Sequence, residues 1–426
     1  MKIYDLATIS IDEILKREEN PLAGSISETV TRIISDVRQR GEEALKELCF
    51  RFDAWDGSAL EVTRDEIKKA YESLDPCFVA TLEKAADNIR AFHRQQIRSS
   101  FVITGEDGVV MGQKIMPIAK VGVYVPGGTA ALSSTVLMDV IPAKLAGCPE
   151  IVVTTPARGG RVDPSILAAA DIAGADRVFK VGGAQAIAAL AYGAGPIPRV
   201  DKIVGPGNAY VTEAKRQVFG RVAIDMIAGP SEILVVADKG SDPEHLAADL
   251  LSQAEHDKMA SAVLVTDCAD LAAQVSEAVD RQLAVLPRRE IAEASIKNNG
   301  KIIVAKDIDA VIDIANRIAP EHLELCVADP FKYLDRIRNA GSIFMGRYCP
   351  EALGDYLAGP NHTLPTSGTA RFSSPLSVDD FVKRSQFTYY TKEALEKVSE
   401  SIALFARQEG LEGHARSALI RTRTED

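Results

Sequence analysis

Residues 121–220 decide the fold: VGVYVPGG (121–128), STVLMDVIPAKLAG (134–147), EIVVTTP (150–156), PSILAAADIAGA (164–175), RVFKVGG (177–183), AQAIAALAYG (184–193), KIVGPGN (202–208) and AYVTEAKRQVFG (209–220). Short β-branched runs alternate with Ala-rich segments of helical spacing. That alternation specifies a parallel sheet with helices on both faces. The pattern restarts after residue 230 with EILVVAD, PEHLAADLLSQAEHD, SAVLVTD, DLAAQVSEAVDRQL, KIIVAKD and DAVIDIANRIA, and FKYLDRIRNA and GSIFMG close it. The expected fold class is therefore α/β. It comprises two nucleotide-fold-like parallel-sheet domains, as an old duplication would leave, with smaller helical segments at the N- and C-termini. No strict repeat accompanies the two series.

Working outward, residues 1–116 have helical texture. SETVTRIISDVRQRGEEALKELCFRFD places apolar residues three and four apart, and TRDEIKKAYESL and CFVATLEKAADNIRAFHRQQ continue the style. His93, in AFHRQQ, reads as a surface residue. The expected division is an N-terminal helical segment at 1–116, α/β domains at 117–230 and 231–346, a loop region at 347–376 and a C-terminal helical segment at 377–426. The loop RYCPEALGDYLAGPNHTLPTSGTARFSS is too long for a simple connection, and ordered loops of that length usually carry function.

Composition narrows the partners. The 426 residues carry a formal net charge of -11, which argues against nucleic acid, because phosphate neutralisation needs a basic face. There is no apolar stretch of the roughly 18 residues that a membrane span needs, and MKIYDLATISIDEILKR shows no signal-peptide core. The six cysteines are scattered without a CxxC, which reads as reduced thiols in a cytoplasmic protein.

Several groups carry chemistry, each with an ordinary structural reading beside it. In SDPEHLAADLLSQAEHD, Asp242, Pro243 and Glu244 start a helix. Near its end Gln253 and His256, three apart, share a face as two metal ligands would, or as any polar helix end does. Asp355 and His362 in GDYLAGPNH offer oxygen and nitrogen donors suited to Zn²⁺, but no spacing rule marks them. Glu321 and His322 in IAPEHLEL form an acid/base pair if a turn aims both into one cleft, and otherwise a charged turn. GPGNAY (205–210) and VPGG (125–128) each lie between a strand and a helix, where phosphates bind, but neither completes GxGxxG.

In order along the chain, VGVYVPGGTAALSSTVLM, GGAQAIAALAYG, VGPGNAYVTEAK, DMIAGPSEILVVAD, LLSQAEHD, APEHLEL, GDYLAGPNHTLPTSGTARFSSPLSVDDFVKR and EGLEGHAR resemble the histidinol dehydrogenase family. The resemblance implies a zinc-dependent, four-electron oxidation of L-histidinol to L-histidine through L-histidinaldehyde with two NAD, the last step of histidine biosynthesis. It implies Gln253, His256, Asp355 and His414 as ligands of one Zn²⁺ per subunit, and Glu321 and His322 as the acid/base pair. Tyr124, Gln185 and Asn208 become NAD contacts in the 117–230 domain. Ser231 and Glu409 join Gln253, His256, His322, Asp355 and His414 around the substrate. It further implies a homodimer whose C-terminal segments cross, so that each site takes Glu409 and His414 from its partner.

The residue types suit that chemistry. Histidinol's imidazole and amine are good donors to zinc, which serves as a template for the substrate. His322 takes protons at both oxidations, and Glu321 activates water toward the aldehyde. A thiolate route through Cys148 is the competing mechanism, but Cys148 precedes an apolar strand and has no neighbouring base in AGCPEIVV. Three other readings are a related dehydrogenase acting on another primary alcohol such as a sulfonated diol, a zinc hydrolase, and a non-catalytic binding protein. Glu409, His414 and PTSGTARFSS favour histidinol over the diol, and nicotinamide reduction separates a dehydrogenase from a hydrolase.

Overall fold

The computed structural model describes residues 1–6, 8–14, 23–127 and 131–422. Gly128, which ends the VPGG loop, lies outside the described residues. In chain order the strands are β1 (Lys2–Asp5), β2 (Phe101–Thr104), β3 (Val110–Pro117), β4 (Lys120–Tyr124), β5 (Glu150–Thr154), β6 (Arg177–Phe179), β7 (Lys202–Val204), β8 (Ala223–Ile224), β9 (Glu232–Ala237), β10 (Ser261–Thr266), β11 (Lys301–Val304), β12 (His322–Cys326), β13 (Ser342–Met345) and β14 (Val382–Tyr389). The chain divides into two compact units, one of residues 1–96 and 119–381, the other of 97–118 and 382–426.

The first unit holds two parallel sheets. One runs β6-β5-β4-β7-β8 and the other β1-β11-β10-β9-β12-β13. The chain is thus α/β, with parallel sheets and flanking helices. Both sheets build outward from a central strand and then reverse, at β4/β7 in one and at β9/β12 in the other. All six residues of β9 are buried, as are Ile151, Val152 and Val153 of β5. Strands covered on both faces must be apolar throughout, which is why EILVVA and EIVVT lack polar alternation. Each such Val, Leu or Ile contributes about 1.5–3 kcal/mol by leaving water.

Helix starts follow their sequence signals. Asp163 and Asp242 cap helices Pro164–Ala173 and Pro243–Ala254, each with proline at the first helical position. Asn208 caps Ala209–Val218, accepting from Tyr210 N and Val211 N at 3.0 and 3.2 Å.

The second unit consists of the antiparallel sheet β14-β3-β2, in which Val382 pairs with Pro117 and Tyr389 with Val110, and helices Lys392–Gln408 and Glu412–Leu419.

Three readings need correction. Residues 1–116 are not wholly helical. KIYD forms β1 and docks on β11, Lys2 opposite Lys301, while β2 and β3 lie at 101–117. Residues 377–426 include β14 as well as helices. His93 is fully buried rather than on the surface. It lies four residues beyond the buried Ile89 on helix Pro76–His93, with Nδ1 2.7 Å from Gln96 Oε1.

Candidate active site

The N-terminal ends of the neighbouring strands β9 and β12 place Ser231 and Glu232 beside Glu321 and His322. Glu232 organises the pair through its main chain. Its N–H donates to Glu321 Oε2 at 2.8 Å, and its carbonyl lies 2.9 Å from His322 Nδ1. A carbonyl only accepts, so Nδ1 carries the ring proton and Nε2 the lone pair. That Nε2 is buried without a hydrogen-bond partner among the described residues, 3.6 Å from Glu351 Oε1. Burial lowers the His322 pKa to about 4, so its ring is neutral at physiological pH and available as a base. Burial raises the Glu321 carboxyl well above its ordinary range; the Glu232 N–H opposes this, and the charges of Glu232 and Asp355 add to it.

Helix Pro243–Ala254 brings Gln253 to the site. Its Nε2 lies 3.2 Å from Nδ1 of His256, which is exposed in the following turn. Gln253 Oε1 is buried with no hydrogen-bond partner among the described residues. The short helix Glu351–Tyr356 supplies Asp355, whose Oδ1 is 3.2 Å from His362 Nδ1. Burial alone would raise the Asp355 carboxyl. The hydrogen bond and charge of His362 outweigh it and hold Asp355 below its usual range. An orphaned amide oxygen, an exposed imidazole and an ionised carboxylate fit one divalent cation with N/O ligands.

Behind this front row stands a second layer that the sequence reading missed. Asp249 precedes Gln253 by four residues, Glu351 precedes Asp355 by four, and Glu324 follows His322 by two. Helical and strand spacing therefore put an acid on the same face as Gln253, Asp355 and His322. Glu324 Oε1 accepts from Glu351 N at 2.7 Å and caps the start of that helix, and Asp249 hydrogen-bonds Glu324. Burial raises both Glu324 and Glu351, with Asp249 adding to the first and Asp355 to the second. Burial therefore favours the protonated forms of Glu324 and Glu351.

The other sheet presents the nucleotide candidates at the carboxyl ends of β4, β6 and β7. Tyr124 ends β4, and its hydroxyl accepts from Gly183 N at 3.1 Å. Gln185 follows in helix Gly183–Tyr192, and Asn208 caps the helix after β7. Gly205 has φ 109°, and a Cβ there would lie 2.1 Å from the Tyr124 carbonyl oxygen, so only glycine fits. Its N–H donates to Asp225 Oδ2 at 2.8 Å and its carbonyl accepts from Lys215 Nζ at 2.8 Å. The pinned, glycine-bearing turn and the capped helix start suit a dinucleotide's phosphates. A polar path joins this turn to the Asp355 row. Asp139, against Gly205, accepts from the Thr363 hydroxyl at 2.7 Å, and the adjacent His362 holds Asp355.

Glu409 and His414 belong to the second unit. Glu409 ends helix Lys392–Gln408 and His414 lies in Glu412–Leu419, both exposed. Cys148 is buried, with Sγ 3.6 Å from the Phe381 carbonyl.

The histidinol dehydrogenase family model matches residues 15–422. Histidinol dehydrogenase of Syntrophotalea carbinolica is 55% identical over 97% of this chain and 96% of its own. That of Clostridium acetobutylicum is 52% identical over 96% and 95%. The crystal structure of histidinol dehydrogenase from Elizabethkingia anophelis superposes with a TM-score of 0.92 at 37% identity, covering 99% of this chain and 98% of that one. The match spans both parallel sheets and every candidate position, and the chain belongs to the histidinol dehydrogenase family.

Proposed function

We propose that this NAD-dependent oxidoreductase converts L-histidinol to L-histidine through L-histidinaldehyde, with two NAD and one Zn²⁺ per subunit, as the last step of L-histidine biosynthesis. The observation that carries the reading is His322. It is a buried neutral imidazole with Nδ1 satisfied by Glu232 and Nε2 open, beside a buried carboxyl and the Gln253, His256 and Asp355 donors. The two sheets are read as two nucleotide-fold-like domains because their orders match once β1 is set aside, each with its first strand central and a reversal beside it.

Bound NAD supplies the hydride acceptor for each oxidation, and bound zinc supplies a template for the substrate's imidazole and amine nitrogens. The chain's own groups move the protons. His322 Nε2 takes the hydroxyl proton in the first oxidation. Glu321, when ionised, takes a proton from the water that adds to the aldehyde. After passing its first proton to solvent, His322 Nε2 takes a hydroxyl proton of the hydrate as the acid forms. Burial keeps bulk water from the pair and strengthens each contact. Gln253, His256 and Asp355 would hold zinc together with His414. Tyr124, Gln185 and Asn208 would hold NAD, and Ser231 and Glu409 would complete the substrate pocket.

Glu409 and His414 are read as coming from a partner copy in a homodimer with shared sites. The second unit leaves Leu404 and Phe405 72% and 71% exposed, with Ile103, Val102 and Ile420 also bare, which is the signature of a covered face. We place the enzyme in the cytoplasm on its six free cysteines. No described helix is long and apolar enough to cross a membrane. NADH formation with L-histidinol, set against formation with a sulfonated diol, tests the substrate. Turnover of the diol in preference to histidinol would overturn the reading.

A further inference from the structure

The acid that ordinarily reads the adenosine ribose is missing from its usual place. In a doubly wound nucleotide fold, a carboxylate at the end of the second strand accepts from the ribose hydroxyls and repels the 2′-phosphate of NADP. The second strand here is β5, and its exit is Thr154, Thr155 and Pro156, followed by ARGG, with no acid. The loops after β4, β5 and β6 nevertheless converge as that site requires. A Cβ on Gly127 would come 3.0 Å from Thr155 Oγ1, and one on Gly182 would come 2.4 Å from Pro156 Cγ.

A carboxylate reaches this convergence from elsewhere in the chain. Asp53 is the last residue of helix Glu42–Asp53. Its Oδ2 accepts from Gly182 N and Gln185 Nε2, both at 3.4 Å, and its charge is felt at the Tyr124 hydroxyl. It is half-buried, and no cation pairs with it among the described residues. Burial raises the carboxyl, and the two donors only partly offset this. A partly desolvated carboxylate with no cation beside it among the described residues costs stability unless a ligand uses it.

We propose that Asp53, delivered from the N-terminal helices, accepts from the adenosine ribose and sets the preference for NAD over NADP. This rests on the nucleotide site proposed above. It makes no claim on the chemical step, so binding alone tests it. Trp55, two residues away, is the chain's single tryptophan, so its emission should be quenched by energy transfer to bound NADH.

The experiment titrates the zinc-loaded enzyme with NADH and with NADPH, following Trp55. ADP and adenosine 2′,5′-bisphosphate then compete against NADH. The wild type should prefer NADH and ADP, with the preference shrinking as salt screens the carboxylate. Asp53→Asn keeps an acceptor for Gly182 and Gln185 but loses the charge. It should weaken NADH about tenfold and lower the NADH-to-NADPH ratio by about tenfold or more, the scale of one charge-assisted hydrogen bond. Thermal midpoint and far-ultraviolet dichroism check that the variant is folded. If it is not, the wild-type preference for ADP over the bisphosphate and its salt dependence decide alone. An unchanged ratio in folded Asp53→Asn, or a wild-type preference indifferent to salt, overturns the assignment while leaving the nucleotide site intact. A wild type that binds neither NADH nor ADP overturns both.

Discussion

Replacing Glu321 with glutamine separates the two oxidations. The carboxyl's Oε2 holds Glu232 N at 2.8 Å, and the same main chain positions His322 from its carbonyl at 2.9 Å. A glutamine oxygen keeps the first bond, so His322 stays in place and the first oxidation should fall by less than about threefold, under about 1 kcal/mol. The variant cannot take a proton from water. Loss of a positioned general base costs about 10²–10⁴ in rate, or roughly 3–5 kcal/mol, and that loss should fall on the aldehyde step. Single-turnover NADH bursts from L-histidinol report the first oxidation, and L-histidinaldehyde supplied as substrate reports the second. Because burial raises Glu321, the wild-type second step should also quicken as pH rises and the carboxyl ionises, and the variant should lose this dependence. Equal slowing of both steps would show that Glu321 acts through His322 rather than on water.

Other outcomes follow from the same geometry. His256→Asn should lower zinc content by elemental analysis, because it removes the imidazole beside Gln253; full occupancy would exclude His256 as a ligand. Cys148→Ala should keep most activity, and a loss of several orders of magnitude in a folded variant would revive the thioester route. Glu324 is raised by burial and by Asp249, so the folded state holds a proton that the unfolded chain releases above its ordinary carboxylate pKa. The stability this contributes is present at low pH and is lost as pH rises through the folded pKa. Glu324→Gln should therefore flatten the fall in thermal midpoint on the alkaline side, and an unaltered slope would count against a protonated Glu324. Subunits carrying His414→Asn and His256→Asn, each inactive alone, should recover up to about a quarter of wild-type activity after random re-pairing, since half the dimers are mixed and each has one intact site. No recovery after verified exchange would place His414 in its own subunit's site.

The parallel sheets were legible because buried strands of EILVVAD type and capped helices between them are local signals. The Gln253/His256 spacing and the Glu321–His322 pair were legible for the same reason, although sequence alone left each with a structural reading. The back layer was written at the same spacings, in Asp249/Gln253, Glu351/Asp355 and His322/Glu324, but acids four apart on a helix ordinarily face solvent. Only packing shows that Glu324 and Glu351 are buried and that Asp249 is half-buried. His93 follows the buried series Leu82, Ala85, Ala86 and Ile89 by helical period, a signal that outranked its polar neighbours. β1 and β14 had no local signal. KIYD is short and half-polar and is fixed by pairing with residues 301–304, and β14 pairs across the chain with 110–117. Asp53 escaped because its partners Gly182 and Gln185 are remote in sequence and join it only through the fold.

The central claim is a four-electron oxidation at one site, and its most direct test is stoichiometry. Zinc-loaded enzyme is given limiting L-histidinol and excess NAD, and NADH is counted against L-histidine formed. The His322 and Glu321 geometry predicts two NADH per histidine with no free aldehyde. One NADH per substrate, with L-histidinaldehyde accumulating in solution, would contradict it.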